Sequence, residues 1–381
     1  MRRLRRSFGV RKPFVPLVSV ASALSAFRYP SWLSDDGVVI WGGHGSSVVQ
    51  STNDWLTRTA VGDALTAPGP VKAVRPMQDG ELLVGTGNSV ASEYKSELWR
   101  SSGYDRANPS AATWAKVHEA GTLGARFDNP WGFSVSGSIV VASEYGLRGN
   151  DGARRVYLST NSGVTFAEVF DIMTTPLAVS GAPTPDENAH IHSAAYDPHH
   201  AGGRIWVTTG DSANTATYYS DDLGSTWTLV AGSESWQATS ILPLPDRVLL
   251  GSDANPDGVW RIERGVTPAL AVAFGLDDRA VLTYVGQLAF QRTSAHPALF
   301  GFTWAQSDED GSGVIVMTDA LGEGFYCVWH DSFSFVAAGS SVGVHVALGP
   351  TASGNLVWTS PDPGGESQGR VNVAPFPELP A

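Results

Sequence analysis

The sequence predicts an all-β fold: a β-propeller of seven four-stranded antiparallel blades, closed by an N-terminal strand, with six blades as the alternative. Three observations carry this expectation. A strand, a polar or glycine-rich turn and a second strand rich in β-branched and aromatic residues recur seven times along the 381 residues. A single turn unit recurs with them, most clearly at residues 220–227, Ser-Asp-Asp-Leu-Gly-Ser-Thr-Trp. The chain also holds 42 Gly and 23 Pro while only 16% of it is charged, which suits short strands joined by tight turns and argues against helical bundles or disorder.

The turn unit has a physical logic. The hydroxyl of Ser220 and the carboxylate of Asp222 can accept backbone N–H groups of a tight turn. Gly224 supplies the positive φ that such a turn needs, Thr226 adds a second hydroxyl, and Trp227 buries its ring between sheets. A looser copy at residues 159–166 keeps Ser159 and Gly163, with Asn161 standing in for the acid. Residues 51–57 keep Ser51, Asn53 and Thr57, residues 318–325 keep the hydroxyl, Gly322 and the aromatic ring, and residues 101–114 read as a copy opened by an insertion.

Taken in order, the second strands of the repeats are residues 38–42, 82–86, 139–143, 204–209, 248–252, 298–303 and 356–360. Polar or glycine-rich turns precede each of them, from Asp35-Asp36-Gly37 to Ser353-Gly354, and mark the inner hairpins. Third strands follow at 47–51, 97–101, 155–159, 217–220, 258–262, 314–318 and 370–374. Fourth strands follow the turn units at 55–61, 114–118, 166–170, 227–230, 270–274 and 325–329. One edge is thereby left without a partner. Residues 14–20 (Phe-Val-Pro-Leu-Val-Ser-Val) fit it, because Pro16 is tolerated on an edge strand and not in a sheet centre. The expected organisation is a basic arm at 1–13, the propeller at 14–374 and a tail at 375–381.

Charge and cysteine usage exclude several classes. The formal net charge of −12 argues against a nucleic-acid partner for the body of the protein. The lone Cys327 excludes an internal disulfide, and no apolar run is long enough to span a bilayer. Basic residues instead crowd the start: Arg2, Arg3, Arg5, Arg6, Arg11 and Lys12. Arg5-Arg6-Ser7-Phe8 followed by residues 14–26 resembles a twin-arginine export signal. Pro16 and Ser19 interrupt its apolar segment, so a retained arm that docks on a neighbouring protein subunit is the favoured reading.

The unit S-x-D-x-G-x-T-W, matched at all five defining positions by Ser220, Asp222, Gly224, Thr226 and Trp227, resembles the Asp-box of the sialidase-like (BNR-repeat) β-propellers. The resemblance implies that the boxes are scaffold on one face and that binding belongs to the opposite face. Phe27-Arg28-Tyr29-Pro30 is similar to the F/Y-R-I-P motif of sialidases, which implies that Arg28 grips a substrate carboxylate through its planar fork. The sequence departs from that family at Trp41-Gly42-Gly43-His44-Gly45, where an arginine and a catalytic aspartate are expected. Arg126, Arg148 and Arg279 are candidates, by region alone, for the rest of the arginine set.

The opposite face gathers the loops entering first strands and those between second and third strands. His190-Ile191-His192 opens the fourth first strand, where a period of two puts both imidazoles on one side. Asp211, after the next strand, is within reach, so the trio reads as an acid/base pair or as ligands. HxH alone lacks a third ligand at fixed spacing, so no resident metal or other cofactor is expected. Glu144-Tyr145 holds the matching loop of the third blade and resembles the sialidase pair in which a Glu activates a Tyr nucleophile. Asp253 holds the matching loop of the fifth blade, so Glu144, Tyr145, Asp211 and Asp253 are the catalytic candidates. His44, Asn88, Trp131, Gln237 and Trp304 complete the face with Arg28, His190 and His192 as substrate-binding candidates. Rings, amides and carboxylates together suit a sugar, whose C–H faces stack on aromatics while its hydroxyls bond amides and acids.

Three functions follow as expectations. The first is a binding propeller within a larger particle, most simply a tail-associated or receptor-binding virion protein that takes a cell-surface glycan or small sugar. The second is a glycoside hydrolase with a carboxylate pair of its own. The third is an exported propeller that assists assembly of another complex.

Overall fold

The computed structural model describes residues 18–19, 28–87, 95–121, 123–127, 132–145, 154–233, 236–252, 258–264, 270–275, 284–285, 299–305, 312–318, 325–332, 346–362 and 365–376. Among them the secondary structure is strand and short 3-10 turns, arranged as seven four-stranded antiparallel sheets. No helix among them is long and apolar enough to cross a membrane.

Numbered along the chain, sheet 1 orders Arg28–Leu33, Ile40–His44, Ser47–Ser51 and Thr59–Ala60. Sheet 2 orders Val71–Pro76, Leu82–Thr86, Glu97–Ser102 and Thr113–Glu119, and sheet 3 orders Phe133–Ser136, Ile139–Ser143, Arg155–Ser159 and Ala167–Asp171. Sheet 4 is His190–Asp197, Arg204–Gly210, Ala216–Ser220 and Thr228–Ala231. Sheet 5 is Ala238–Pro243, Arg247–Ser252, Gly258–Glu263 and Leu270–Gly275. Sheet 6 is Tyr284–Val285, Leu299–Ala305, Ser312–Thr318 and Phe325–Ser332. Sheet 7 joins Val346–Leu348, Asn355–Asp362 and Gly365–Pro375 to Val18–Ser19, with Val18 opposite Val373 and Ser19 opposite Asn372.

The second strands of sheets 2, 3 and 4 are apolar on both faces because each of these sheets is packed between two others. Val140 faces a core shared with sheet 2, and its neighbour Val141 faces one shared with sheet 4. Ile205 and Val207 join the core with sheet 3, whereas Trp206 between them enters the core with sheet 5. Leu82 and Val84 turn to sheet 1, and Leu83 to sheet 3. Strand alternation thus feeds two interfaces from one run, each buried aliphatic side chain contributing roughly 1.5–3 kcal/mol. These cores and direct strand contacts join the sheets in the order 6, 7, 1, 2, 3, 4, 5.

Three of the recurring turns share one hydrogen-bond pattern. In sheet 4, Gly224 N donates to Ser220 Oγ at 2.8 Å, Thr226 N to Asp222 Oδ1 at 2.8 Å, and Thr226 Oγ1 to Asp222 Oδ2 at 2.7 Å. In sheet 3, Gly163 N donates to Ser159 Oγ and Thr165 N to Asn161 Oδ1. In sheet 1, Trp55 N and Thr57 N donate to Ser51 Oγ and Asn53 Oδ1. Here Trp55 occupies the glycine position with φ of +71°, in the left-handed region. Residues 55–57 are therefore spent on the turn, and the fourth strand of sheet 1, expected over 55–61, shrinks to Thr59–Ala60. The unit's tryptophans reach the preceding sheet: Trp227 Nε1 donates to Val169 O at 3.0 Å, and Trp114 Nε1 to Val61 O at 2.9 Å.

A feature absent from the sequence expectations recurs in the first strands. Sheets 1, 2, 4 and 5 each carry a β-bulge one to three residues into the pairing, where the cross-strand register skips Ser31, Lys72, His192 and Thr239. A bulge re-aims a side chain and is common beside functional sites.

Candidate functional site

The bulge in sheet 4 falls on one member of the histidine pair. Ile191 is anchored in the core with sheet 3, which fixes the strand and leaves His190 and His192 on its other side. Their rings are tilted at 54° with centroids 4.7 Å apart, and the two Nε2 atoms lie 3.0 Å from each other. His192 is 2% exposed and His190 9%. Gly210, on the partner strand, makes room: a Cβ there would sit 2.2 Å from His192 Cε1 and Nε2.

Asp211 follows that glycine and brings Oδ1 to 3.3 Å from His192 Nε2. Gln237, entering sheet 5, donates from Nε2 to the same oxygen at 2.6 Å. His190 Nδ1 lies 2.9 Å from Asn188 O. A carbonyl only accepts, so this contact places the ring proton of neutral His190 on Nδ1 and a lone pair on Nε2. His190, His192 and Asp211 each offer a ligating atom, and the three atoms all lie within 4.8 Å of one another.

A second layer holds these groups. Asp186 Oδ1 accepts from Asn188 N at 2.7 Å and from Asn214 Nδ2 at 2.7 Å, while Asn214 Oδ1 accepts from Asp186 N at 2.9 Å. Those bonds, foremost the one from Asn214, hold the Asp186 carboxyl below its ordinary value. Asn214 N in turn donates to Asp211 O at 3.0 Å. The loop before His190 and the loop after Gly210 are therefore clamped together, and Asn188 O is aimed at the His190 ring. Sequence reading missed Asp186, Asn188 and Asn214; an Asp-x-Asn turn two residues before a His-x-His strand was the available signal.

From the side of sheet 3, Tyr145 meets His190 edge-to-face at 6.1 Å between centroids. The Arg126 guanidinium lies 5.4 Å from the Tyr145 ring, and the two residues exchange backbone hydrogen bonds of 2.8 Å. Arg126, Tyr145, His190, His192, Asp211 and Gln237 thus form a continuous line across sheets 3, 4 and 5. Arg126 puts a guanidinium at one end of it, and Asp211 with Gln237 puts a carboxyl group and an amide at the other.

Glu144 turns away from its neighbour Tyr145, as adjacent strand positions do. It is fully buried. Its carboxylate accepts from Gly121 N at 2.8 Å, Tyr157 Oη at 2.8 Å, Arg154 N at 3.0 Å and Arg155 N at 3.1 Å. Burial pushes this carboxyl upward against the pull of those donors. The tyrosine that Glu144 engages is Tyr157 and not Tyr145. Burial and the adjacent Glu144 in turn raise the Tyr157 hydroxyl far above its ordinary value.

The remaining candidates are placed as follows. Arg28 begins the first strand of sheet 1 and pairs through its backbone with His44. Trp304 lies on Leu299–Ala305 opposite Val285. Asn88, Trp131, Arg148, Asp253 and Arg279 fall outside the described residues, as does the basic segment 1–13.

No family model matches the chain, and no curated protein sequence does. Solved structures do resemble it. A chain of a mitotic checkpoint complex superposes with a TM-score of 0.51 at 11% identity, over 98% of this chain and 99% of that one. The periplasmic gluconolactonase of Pseudomonas aeruginosa gives 0.55 at 12% identity, over 89% and 96%. A prolyl endopeptidase gives 0.51 at 12% identity, over 91% of this chain and 47% of that one. Likeness at such identities speaks for the fold alone, a β-propeller.

Proposed function

We propose that this chain is a ligand-binding β-propeller whose seven sheets close into one ring, and that the line from Arg126 to Gln237 recognises a sugar or a similar polyhydroxylated molecule. Contact of sheet 5 with sheet 6 would complete the ring that the other sheet contacts trace. The observation that carries the binding reading is the meeting of His190, His192, Asp211 and Gln237 beside the Tyr145 ring, drawn from three neighbouring sheets. A sugar ring offers C–H edges to an aromatic face and hydroxyls to a carboxylate and an amide. Arg126 adds a cation suited to an acidic substituent. Glu144, saturated with hydrogen bonds, belongs to the scaffold in this reading.

The setting this favours is a surface-exposed component of a larger particle, such as a virion tail, held to a neighbouring subunit by the basic segment 1–13. Export through the twin-arginine-like start is the competing setting. A hydrolytic role has one specific observation behind it, the approach of His192 to Asp211 in a nearly buried site, which suits acid/base chemistry. A glycan array with matched turnover assays separates the readings. Binding that falls at least about tenfold in Tyr145→Ala and Asp211→Asn, about 1.4 kcal/mol, supports recognition at this line. Turnover abolished in Asp211→Asn makes the protein a hydrolase. Failure of the folded protein to bind any glycan removes the sugar reading.

A further inference from the structure

The geometry points to a divalent transition-metal site at His190, His192 and Asp211, with Zn2+ as the ion it fits best. The protons and lone pairs of the three side chains leave room for a cation. His190 commits its Nδ1 proton to Asn188 O, so Nε2 presents a lone pair. His192 Nε2 faces that lone pair at 3.0 Å and the Asp211 carboxylate oxygen at 3.3 Å. A single proton can bridge two of these three atoms; a cation placed among them engages all three.

The donor separations also suit a small ion. Ligand bonds of about 2.0–2.1 Å in a tetrahedron place donor atoms roughly 3.3 Å apart. The two nearest donor separations are 3.0 and 3.3 Å, and the third lies within 4.8 Å, so a small side-chain adjustment completes the triangle. Three protein ligands leave a fourth position open, and Asp211, with 13% of its side chain exposed, marks the side from which an ion and then a ligand oxygen would enter. Two nitrogen donors and one oxygen select against Ca2+ and Mg2+, which take oxygen.

A supporting layer of hydrogen bonds holds the candidate ligands. Metal-binding histidines are commonly held through their other ring nitrogen, and ligating carboxylates by a further hydrogen bond. His190 is held by Asn188 O and Asp211 by Gln237 Nε2, while Asp186 clamps Asn188 to Asn214.

The inference is independent of the sugar reading, because the ion is titrated alone. Chelator-treated protein is titrated with ZnCl2 by calorimetry, alongside Asp211→Asn, His190→Gln, Gln237→Ala and a distant control, His199→Asn with His200→Asn. Each variant is first checked for folding by circular dichroism. One ion per chain, weakened at least about tenfold in Gln237→Ala, weakened further in the two ligand variants and retained by the control, supports the site. An anomalous zinc peak about 2.0–2.2 Å from all three atoms supports it even where a ligand variant fails to fold. Absence of stoichiometric uptake, or uptake unchanged in Asp211→Asn, overturns it.

Discussion

Removing the Trp227 ring tests how the recurring turns tie neighbouring sheets together. The ring packs edge-on against Phe170 at 4.9 Å and sits against the core that sheets 3 and 4 share. Its Nε1 donates to Val169 O in the outer strand of sheet 3 and to Gly224 O in its own turn. Truncating a core tryptophan to alanine costs about 3–5 kcal/mol; this ring is only half-buried, so Trp227→Ala should cost about 3. Trp227→Phe keeps the ring contact and removes only the donor, at about 1 kcal/mol. The two variants should therefore differ by about 2 kcal/mol in urea unfolding followed by far-UV circular dichroism and fluorescence together. Coincident curves from the two probes license the comparison. An alanine variant within about 0.5 kcal/mol of the parent would refute the inter-sheet role. A phenylalanine variant as unstable as the alanine one would refute the split between ring and donor.

Two further outcomes follow from the geometry. Trp55→Gly should relieve a left-handed φ, about 1–2 kcal/mol, yet lose a side chain that is 4% exposed, about 3–5, for a net loss of about 2; a stabilised variant would show that the turn and not the core governs this position. His118 packs against Tyr157 at 4.2 Å and Phe166 at 5.7 Å, and burial holds its imidazole below the ordinary value of 6.5. The folded protein then binds this proton less readily than the unfolded chain, so the contribution is whole above pH 6.5 and is lost as pH falls below it. Urea midpoints from pH 7.5 to 5 should fall less steeply for His118→Phe than for the parent, and equal slopes would contradict that assignment.

The hairpins were legible because proline, glycine and Asx turns punctuate second strands whose side chains are apolar on both faces. Counting strands leaves one sheet edge without a partner, and of the segment expected there Val18 and Ser19 pair with Val373 and Asn372. The Ser220 turn was legible because hydroxyl and carboxylate have few local partners other than the turn's own N–H groups. What stayed hidden depends on tertiary approach. Nothing in the local pattern shows that Glu144 would be taken up by Gly121, Arg154, Arg155 and Tyr157, the first of them 23 positions away. The bulge at His192 is a pairing event between strands, invisible in one of them. The partners of His190 and Asp211 come from loops whose conformation is set by the Asp186–Asn214 clamp, and short polar loops carry no periodicity to read.

The site presupposes that the two ends of the chain share sheet 7, so that loops from successive sheets open on one rim. Pairing Ser19→Cys with Asn372→Cys, in a Cys327→Ser background, measures this directly, because the two positions face each other across the sheet at a spacing a disulfide can bridge. The pair should oxidise in the folded protein, giving a compact band on a non-reducing gel and a raised melting temperature, while Ser19→Cys with Glu366→Cys stays reduced. Thiols that remain free in the first pair under mild oxidant, in protein that is otherwise folded, would contradict it.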